Sequence, residues 1–240
     1  MRSQSDLVSA TTKTRGETQF ARIPRLAAWA FDMFMGGENA AFYAEFARDI
    51  ATQVHAGRLL DVCSGPGRLL DELAAMLPDA ELFGLDLSLA MVQRAQRRLG
   101  SRAGVVCAPV AAIPYADASV DVVVCTASFY QWDAPVAGLD EIHRVLKPGG
   151  VALLYETYRD GDSAEIRVAL KRKLAGSVSI RERLLPPVLL RHVRMTYGRA
   201  ELVEVIERSR FAGAWRFDPL VIVGLPGWAR VTLARGLSQP

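Results

Sequence analysis

From Arg58 onward, short apolar runs alternate with segments whose apolar residues recur at helical spacing. RLLDVCSGPG opens the series and closes on glycines, after which Leu70, Leu73, Ala74 and Leu77 share one helical face as far as Pro78. ELFGLDLS is a second strand, Ser88 is placed to cap the helix that ends at Gly100, and GVVCAPV is a third strand. SVDVVVCTAS is a nearly continuous β-branched run, as in a strand buried on both faces. Leu139, Ile142, Val145 and Leu146 mark a helix that stops at Lys147-Pro148-Gly149-Gly150, and VALLYET is a fifth strand. Beyond residues 159–199 the pattern predicts a helix near Glu201–Arg210. Two short strands, about Trp215–Asp218 and Leu220–Val223, then close the sheet as a hairpin. Alternation of this kind gives an α/β architecture, here seven strands in a mostly parallel sheet with helices on both faces.

Three segments stand apart from that series. Residues 1–20 are rich in Ser, Thr and Gln without a period and read as a mobile tail. Residues 21–57 carry Leu26, Trp29, Ala30, Met33 and Phe34, then Phe42, Phe46 and Ile50 after Gly36-Gly37, and read as an N-terminal helical cap. The main domain is expected over 58–240, with 159–199 as a helical insertion on the acceptor side. Half the 240 residues are hydrophobic and 23% charged, which excludes a disordered chain. Cys63, Cys107 and Cys125 form no CxxC and have no histidine at ligand spacing, so no disulfide framework or zinc site is expected. No apolar run has signal-peptide or membrane-spanning length, and the expected setting is cytoplasmic.

In an open α/β sheet, ligands lie at the carboxyl ends of the strands. The first loop there is Asp61-Val62-Cys63-Ser64-Gly65-Pro66-Gly67, and the next strand ends in Asp86, 25 residues after Asp61. Glycines allow close approach of a ligand, and a carboxylate at the second site can accept both ribose hydroxyls. A tight turn with no ligand is the bland alternative, but the loop and the acid together favour a nucleoside-containing cofactor. Nicotinamide dinucleotide sites carry G-x-G-x-x-G. Here Arg68-Leu69-Leu70 follows Gly67, so the third glycine is missing, and Asp61 would repel a pyrophosphate. Asp61 would suit instead a cationic ligand, such as one carrying an ammonium and a sulfonium.

LLDVCSGPGRLL, GLDLS, IPYADASVDVVV and RVLKPGG stand in order over about residues 58–156. With these four motifs the sequence resembles the class I S-adenosylmethionine-dependent methyltransferases, most strongly the broad group that mostly methylates small molecules. The resemblance implies a Rossmann-like fold and S-adenosylmethionine as cofactor. By position, Asp61 and the backbone around Cys63, Gly65 and Gly67 would hold its methionine part. Asp86 would hold the ribose, Leu87 would lie on the adenine face, Val110 would offer an N–H to the adenine edge, and Thr126 would lie beneath the methionine end. The sequence departs from the family's pattern twice: Cys63 stands where a glycine is usual, and Pro109 where many relatives have an aspartate.

Methyl transfer from a sulfonium needs alignment and exclusion of water, and a base only when the acceptor must lose a proton first. No dyad or triad is evident. The candidates for contact with the acceptor are Tyr43 in the cap, Tyr130 with Trp132 and Asp133 after the fourth strand, Glu156 with Tyr158 at the end of the fifth, and His192 in the insertion. His143 reads as structural, and His55 lies on the wrong side of the sheet. The net charge of +3 divides unevenly along the chain. Residues 26–158 carry −7, whereas the insertion 159–199, with ten basic and four acidic residues, carries +6 around the apolar run Leu184–Leu190. The insertion reads as a solvated lid, a pocket for an apolar anionic molecule, a dimer or membrane contact, or an RNA-facing patch. A small-molecule acceptor ranks first, because Cys125-Thr126-Ala127-Ser128 lacks the Asn/Asp-Pro-Pro-aromatic motif of enzymes that methylate base amino groups. An RNA or protein methyltransferase, an inactive cofactor-binding regulator and a nicotinamide-dependent oxidoreductase are the alternatives.

Overall fold

In a computed structural model of the chain, residues 40–160, 168–169 and 196–236 are described. The tail, residues 21–39 of the cap, and most of the insertion, including His192 and Leu184–Leu190, lie outside the described residues.

The described residues build one seven-stranded sheet in the order β3-β2-β1-β4-β5-β7-β6. Strands β1 (Gly57–Val62), β2 (Ala80–Asp86), β3 (Gly104–Cys107), β4 (Val120–Thr126) and β5 (Leu146–Thr157) are parallel. β7 (Leu225–Ala234) runs antiparallel between β5 and the edge strand β6 (Trp215–Ile222). Side chains alternate across the pleat. Leu59, Val122, Val124 and Leu153 pack with helices α1 (Ala40–Gln53), α2 (Arg68–Met76) and α3 (Leu89–Leu99). Their neighbours Leu60, Val123, Ala152 and Leu154 pack with α4 (Pro135–Val145) and α5 (Arg199–Glu207).

Three local readings are corrected. Residues 215–222 form not two short strands but the single edge strand β6, with β7 as its hairpin partner across the turn Val223-Gly224. Pro219, the residue between those two stretches, has no N–H, which is tolerated at a sheet edge. Ser88 stands at the N-cap of α3, but its hydroxyl makes no cap hydrogen bond; its own N–H instead donates to Asp86 Oδ1 at 2.8 Å. Finally, Lys147-Pro148-Gly149-Gly150 belongs to β5 and does not separate it from α4. Leu146 lies opposite Val120 and Val151 opposite Val122, so these four residues bulge against Asp121 alone. Lys147 Nζ pairs with Asp121 at 2.8 Å, and Arg235 donates to the carbonyls of His143, Arg144 and Leu146, satisfying the open end of α4.

Two features fix the surroundings of the carboxyl ends. Helix α1 starts there, with Phe42 against Trp228, which pairs with Thr157 at the end of β5; it then runs back toward the start of β1. The IPYADAS motif is fastened to α4 by Arg144, which donates to the carbonyls of Ile113 and Tyr115 at 2.8 Å and to Asp117 and Glu141 at 2.7 Å. Glu141 in turn accepts from Ile113 N at 2.9 Å.

Candidate functional site

The loop after β1 is held in backbone conformations that side chains rarely adopt: φ is +59° at Cys63, +53° at Gly65 and +76° at Gly67. The usual glycine at the first position is thereby explained, and Cys63 carries a strain on the order of 1–2 kcal/mol. The two glycines differ in kind. A Cβ on Gly67 would lie 2.9 Å from Leu99 Cδ1 and 3.0 Å from Ala95 Cβ, so this glycine lets α3 pack against the start of α2. A Cβ on Gly65 would meet nothing within 4 Å. Gly65 therefore faces open space, as a cradle for a ligand must.

Asp86, at the end of β2, fastens this loop. Its Oδ2 accepts from Gly65 N at 2.8 Å while Oδ1 accepts from Ser88 N at 2.8 Å. A carboxylate has about four lone-pair sites, so two remain for ribose hydroxyls. Burial pushes Asp86 above the usual carboxylate range, against the pull of those two N–H donors. Asp61, in β1, is 1% exposed, and its Oδ2 has no hydrogen-bond partner among the described residues. Burial first, and the Asp86 charge second, raise its carboxyl well above its ordinary value. A buried acid with an open oxygen is costly unless a donor or cation arrives. With its open oxygen and the Gly65 cradle, the loop fits the ammonium-bearing end of S-adenosylmethionine and not a pyrophosphate.

The remaining expected cofactor residues come to the same edge. Leu87 follows Asp86 and is half-buried; its carbonyl accepts from Cys107 Sγ at 3.5 Å. Val110 opens the single 3-10 turn Val110–Ala112 after Pro109, and Thr126 ends β4. Cys63 is a packing thiol, pushed up to about 12 chiefly by burial. Among the described residues no cluster of three or more His, Cys, Asp or Glu is arranged to hold a metal, and no helix is long and apolar enough to cross a membrane.

On the acceptor side, Ala127 takes φ +51° and turns the chain after β4. Glu156 of β5, 4% exposed, reaches across to this turn, where its Oε1 accepts from Ser128 N and Phe129 N at 2.7 Å each. Its Oε2 has no partner among the described residues. This clamp was not foreseen: no periodicity marks a carboxylate that crosses from one strand to the next loop. Tyr130 lies in the short turn Phe129–Gln131, its hydroxyl raised to about 12 by burial and by the Glu156 charge. Trp132 is buried against Phe129, whereas Asp133 is exposed. Tyr43 lies in the first turns of α1, at the carboxyl end of the sheet. Tyr158 turns away onto Phe217. His143 packs edge-to-face on Phe211, far from the strand ends, and His55 is exposed before β1.

Burial lifts Glu156 to about 8, against the two loop N–H donors that favour its charge. Its value in the unfolded chain is near 4.5, so the folded chain holds an extra proton between the two values. The corresponding stability is fully present below the unfolded value and is lost as pH rises through about 8. Glu156→Gln keeps an oxygen for the loop and removes the titration. Its melting temperature is expected to match the wild type near pH 5 and to exceed it by several degrees, order of magnitude, near pH 8.5. Parallel melting curves across that range would contradict the assignment.

Comparison with known proteins agrees with this geometry. A family model described as a methyltransferase domain matches residues 60–154. Malonyl-[acyl-carrier protein] O-methyltransferase of Methylococcus capsulatus is 33% identical over 114 residues, covering 47% of this chain and 41% of that protein. Ubiquinone/menaquinone biosynthesis C-methyltransferase UbiE of Geotalea uraniireducens is 32% identical over 120 residues, covering 48% and 51%. The chain thus spans about half the length of the curated relatives it matches. A crystal structure of a candidate S-adenosyl-L-methionine-dependent methyltransferase from Methanococcus maripaludis superposes with a TM-score of 0.70 at 20% identity, over 91% of this chain and 96% of that one, which establishes the shared fold. Residues 60–154 thus match a methyltransferase domain, and the chain shares its fold with a solved candidate S-adenosylmethionine-dependent methyltransferase.

Proposed function

We propose that this chain transfers the methyl group of S-adenosylmethionine to a small-molecule acceptor with an apolar body. The observation that carries the reading is the buried, unpartnered Asp61 oxygen beside the open Gly65 cradle, with Asp86 at the end of the next strand. When bound, S-adenosylmethionine supplies a methyl group already activated on a sulfonium.

The chain's own residues have three tasks. Asp61 and the backbone of Cys63, Gly65 and Gly67 hold the methionine part, with Thr126 beneath it. Asp86 accepts from the ribose, while Leu87 and Val110 flank the adenine. The loop 126–132, held by Glu156, walls the acceptor side with Phe129, Tyr130 and Trp132 and keeps water from the line of displacement. Tyr43 in the first turns of α1 faces the same edge. The two curated relatives bear names that state O- and C-methylation, and both reactions need this alignment.

The test uses the full chain, methyl-labelled S-adenosylmethionine and a fractionated extract of small metabolites. Label is expected in a low-molecular-weight product that is extractable into organic solvent. Label confined to RNA or protein, or no transfer despite cofactor binding, would overturn the small-molecule reading.

A further inference from the structure

Glu156 is a costly way to hold a loop. A glutamine oxygen in the same place would accept from Ser128 N and Phe129 N equally well, with no buried acid. Among the described residues its shift has only burial and those two amides behind it, and no lysine or arginine contributes. The second oxygen, Oε2, is buried and has no partner among the described residues. Buried polar atoms are almost always satisfied, so an acid oxygen left without a partner calls for an explanation. Glu156 stands at the carboxyl end of β5, two strands from Asp61, with β4 between them. The charges of both act on the Cys125 thiol in that middle strand. Asp61 thus lies on the cofactor side of β4 and Glu156 on the other side, against the turn that carries Phe129 and Tyr130.

We propose that Glu156 selects the methyl acceptor: Oε1 fixes the loop 127–129 and Oε2 receives an O–H or N–H carried by the acceptor. The assignment rests on the methyltransferase reading above. It makes Glu156 a specificity-determining residue for acceptors that bring a hydrogen-bond donor, such as phenols, enols and amines. Above about pH 8, where Glu156 is ionised, an acceptor entering as a free carboxylate would set a second charge against a buried one, which costs affinity through repulsion and through an unfilled donor position.

Matched probes test this with the protein saturated in S-adenosylhomocysteine. The probes are 2-naphthol, a neutral donor, and 2-naphthoate, an anion of similar shape, each titrated by calorimetry near pH 8.5, above the value of about 8 at which Glu156 ionises. 2-Naphthol is expected to bind the wild type at least about tenfold more tightly than 2-naphthoate, as one hydrogen bond to a charged or polarised group implies. Glu156→Gln keeps the loop acceptor and offers the anion an N–H, so the preference is expected to shrink to within about threefold or to invert. Its affinity for S-adenosylhomocysteine is expected to stay within about threefold of the wild type, which a loosened fold would not preserve. The proposal is overturned by 2-naphthoate binding the wild type as well as 2-naphthol does. It is also overturned by 2-naphthol failing to bind below millimolar concentration, or by the preference surviving Glu156→Gln. A loss of S-adenosylhomocysteine affinity in Glu156→Gln with the probe ratio unchanged would move the residue to the cofactor side. Failure of the wild type to bind S-adenosylhomocysteine would remove the methyltransferase reading itself, a separate result from the probe titrations.

Discussion

Replacement of Asp86 by alanine is expected to lower the affinity for S-adenosylhomocysteine on the order of a hundredfold or more. Hydrogen bonds to a charged group contribute about 1.5–3 kcal/mol each, and the ribose offers two hydroxyls. The same carboxylate also receives the N–H groups of Gly65 and Ser88 at 2.8 Å, so its removal frees the glycine loop as well. A modest drop in melting temperature should accompany the loss of binding. Calorimetric titration of wild type and variant reads the first effect, and thermal unfolding reads the second. An affinity within threefold of the wild type would show that the ribose is held elsewhere.

The two glycines of the loop are expected to fail in opposite ways. Gly67→Ala combines a left-handed backbone at φ +76° with a methyl 2.9 Å from Leu99 Cδ1 and 3.2 Å from Ala95 Cα. The conformational penalty is about 1–2 kcal/mol and the overpacking about 1–3 kcal/mol. A loss of roughly 3 kcal/mol of stability is therefore expected, seen as a shift in the denaturant midpoint. Gly65→Ala, at φ +53° with nothing near its Cβ, is expected to lose only about 1 kcal/mol of stability. Its methyl would fill the cradle, and affinity for S-adenosylhomocysteine should fall at least about tenfold, the steric counterpart of one lost close contact. If Gly65→Ala bound normally, the open space beside it would not be the ligand's.

The division between these glycines shows where sequence reading succeeds and where it stops. The loop, the acids Asp61 and Asp86, and the alternation of strands and helices are local patterns, and they survive in the fold because each depends on neighbouring residues. Interactions between distant segments leave no such mark. Nothing in RVLKPGG announces that Arg144 fastens the IPYADAS segment to α4, or that Arg235, at the far end of the chain, closes that helix. The division of residues 215–223 into two strands failed for the same reason: a proline such as Pro219 ends a central strand but is harmless at an edge, and the order of strands decides which it is. The uneven charge of the chain also gains a location. The acidic stretch that carries −7 includes two carboxylates, Asp61 and Glu156, buried without a partner for one oxygen each.

Those open oxygens place the central claim within reach of one titration. S-adenosylhomocysteine added to the wild-type chain at pH 7.5 is expected to bind at a single site with a dissociation constant of about micromolar order, near −8 kcal/mol. No binding up to millimolar concentration, or tighter binding of a nicotinamide dinucleotide, would contradict the assignment of Asp61, Gly65 and Asp86 as the cofactor site.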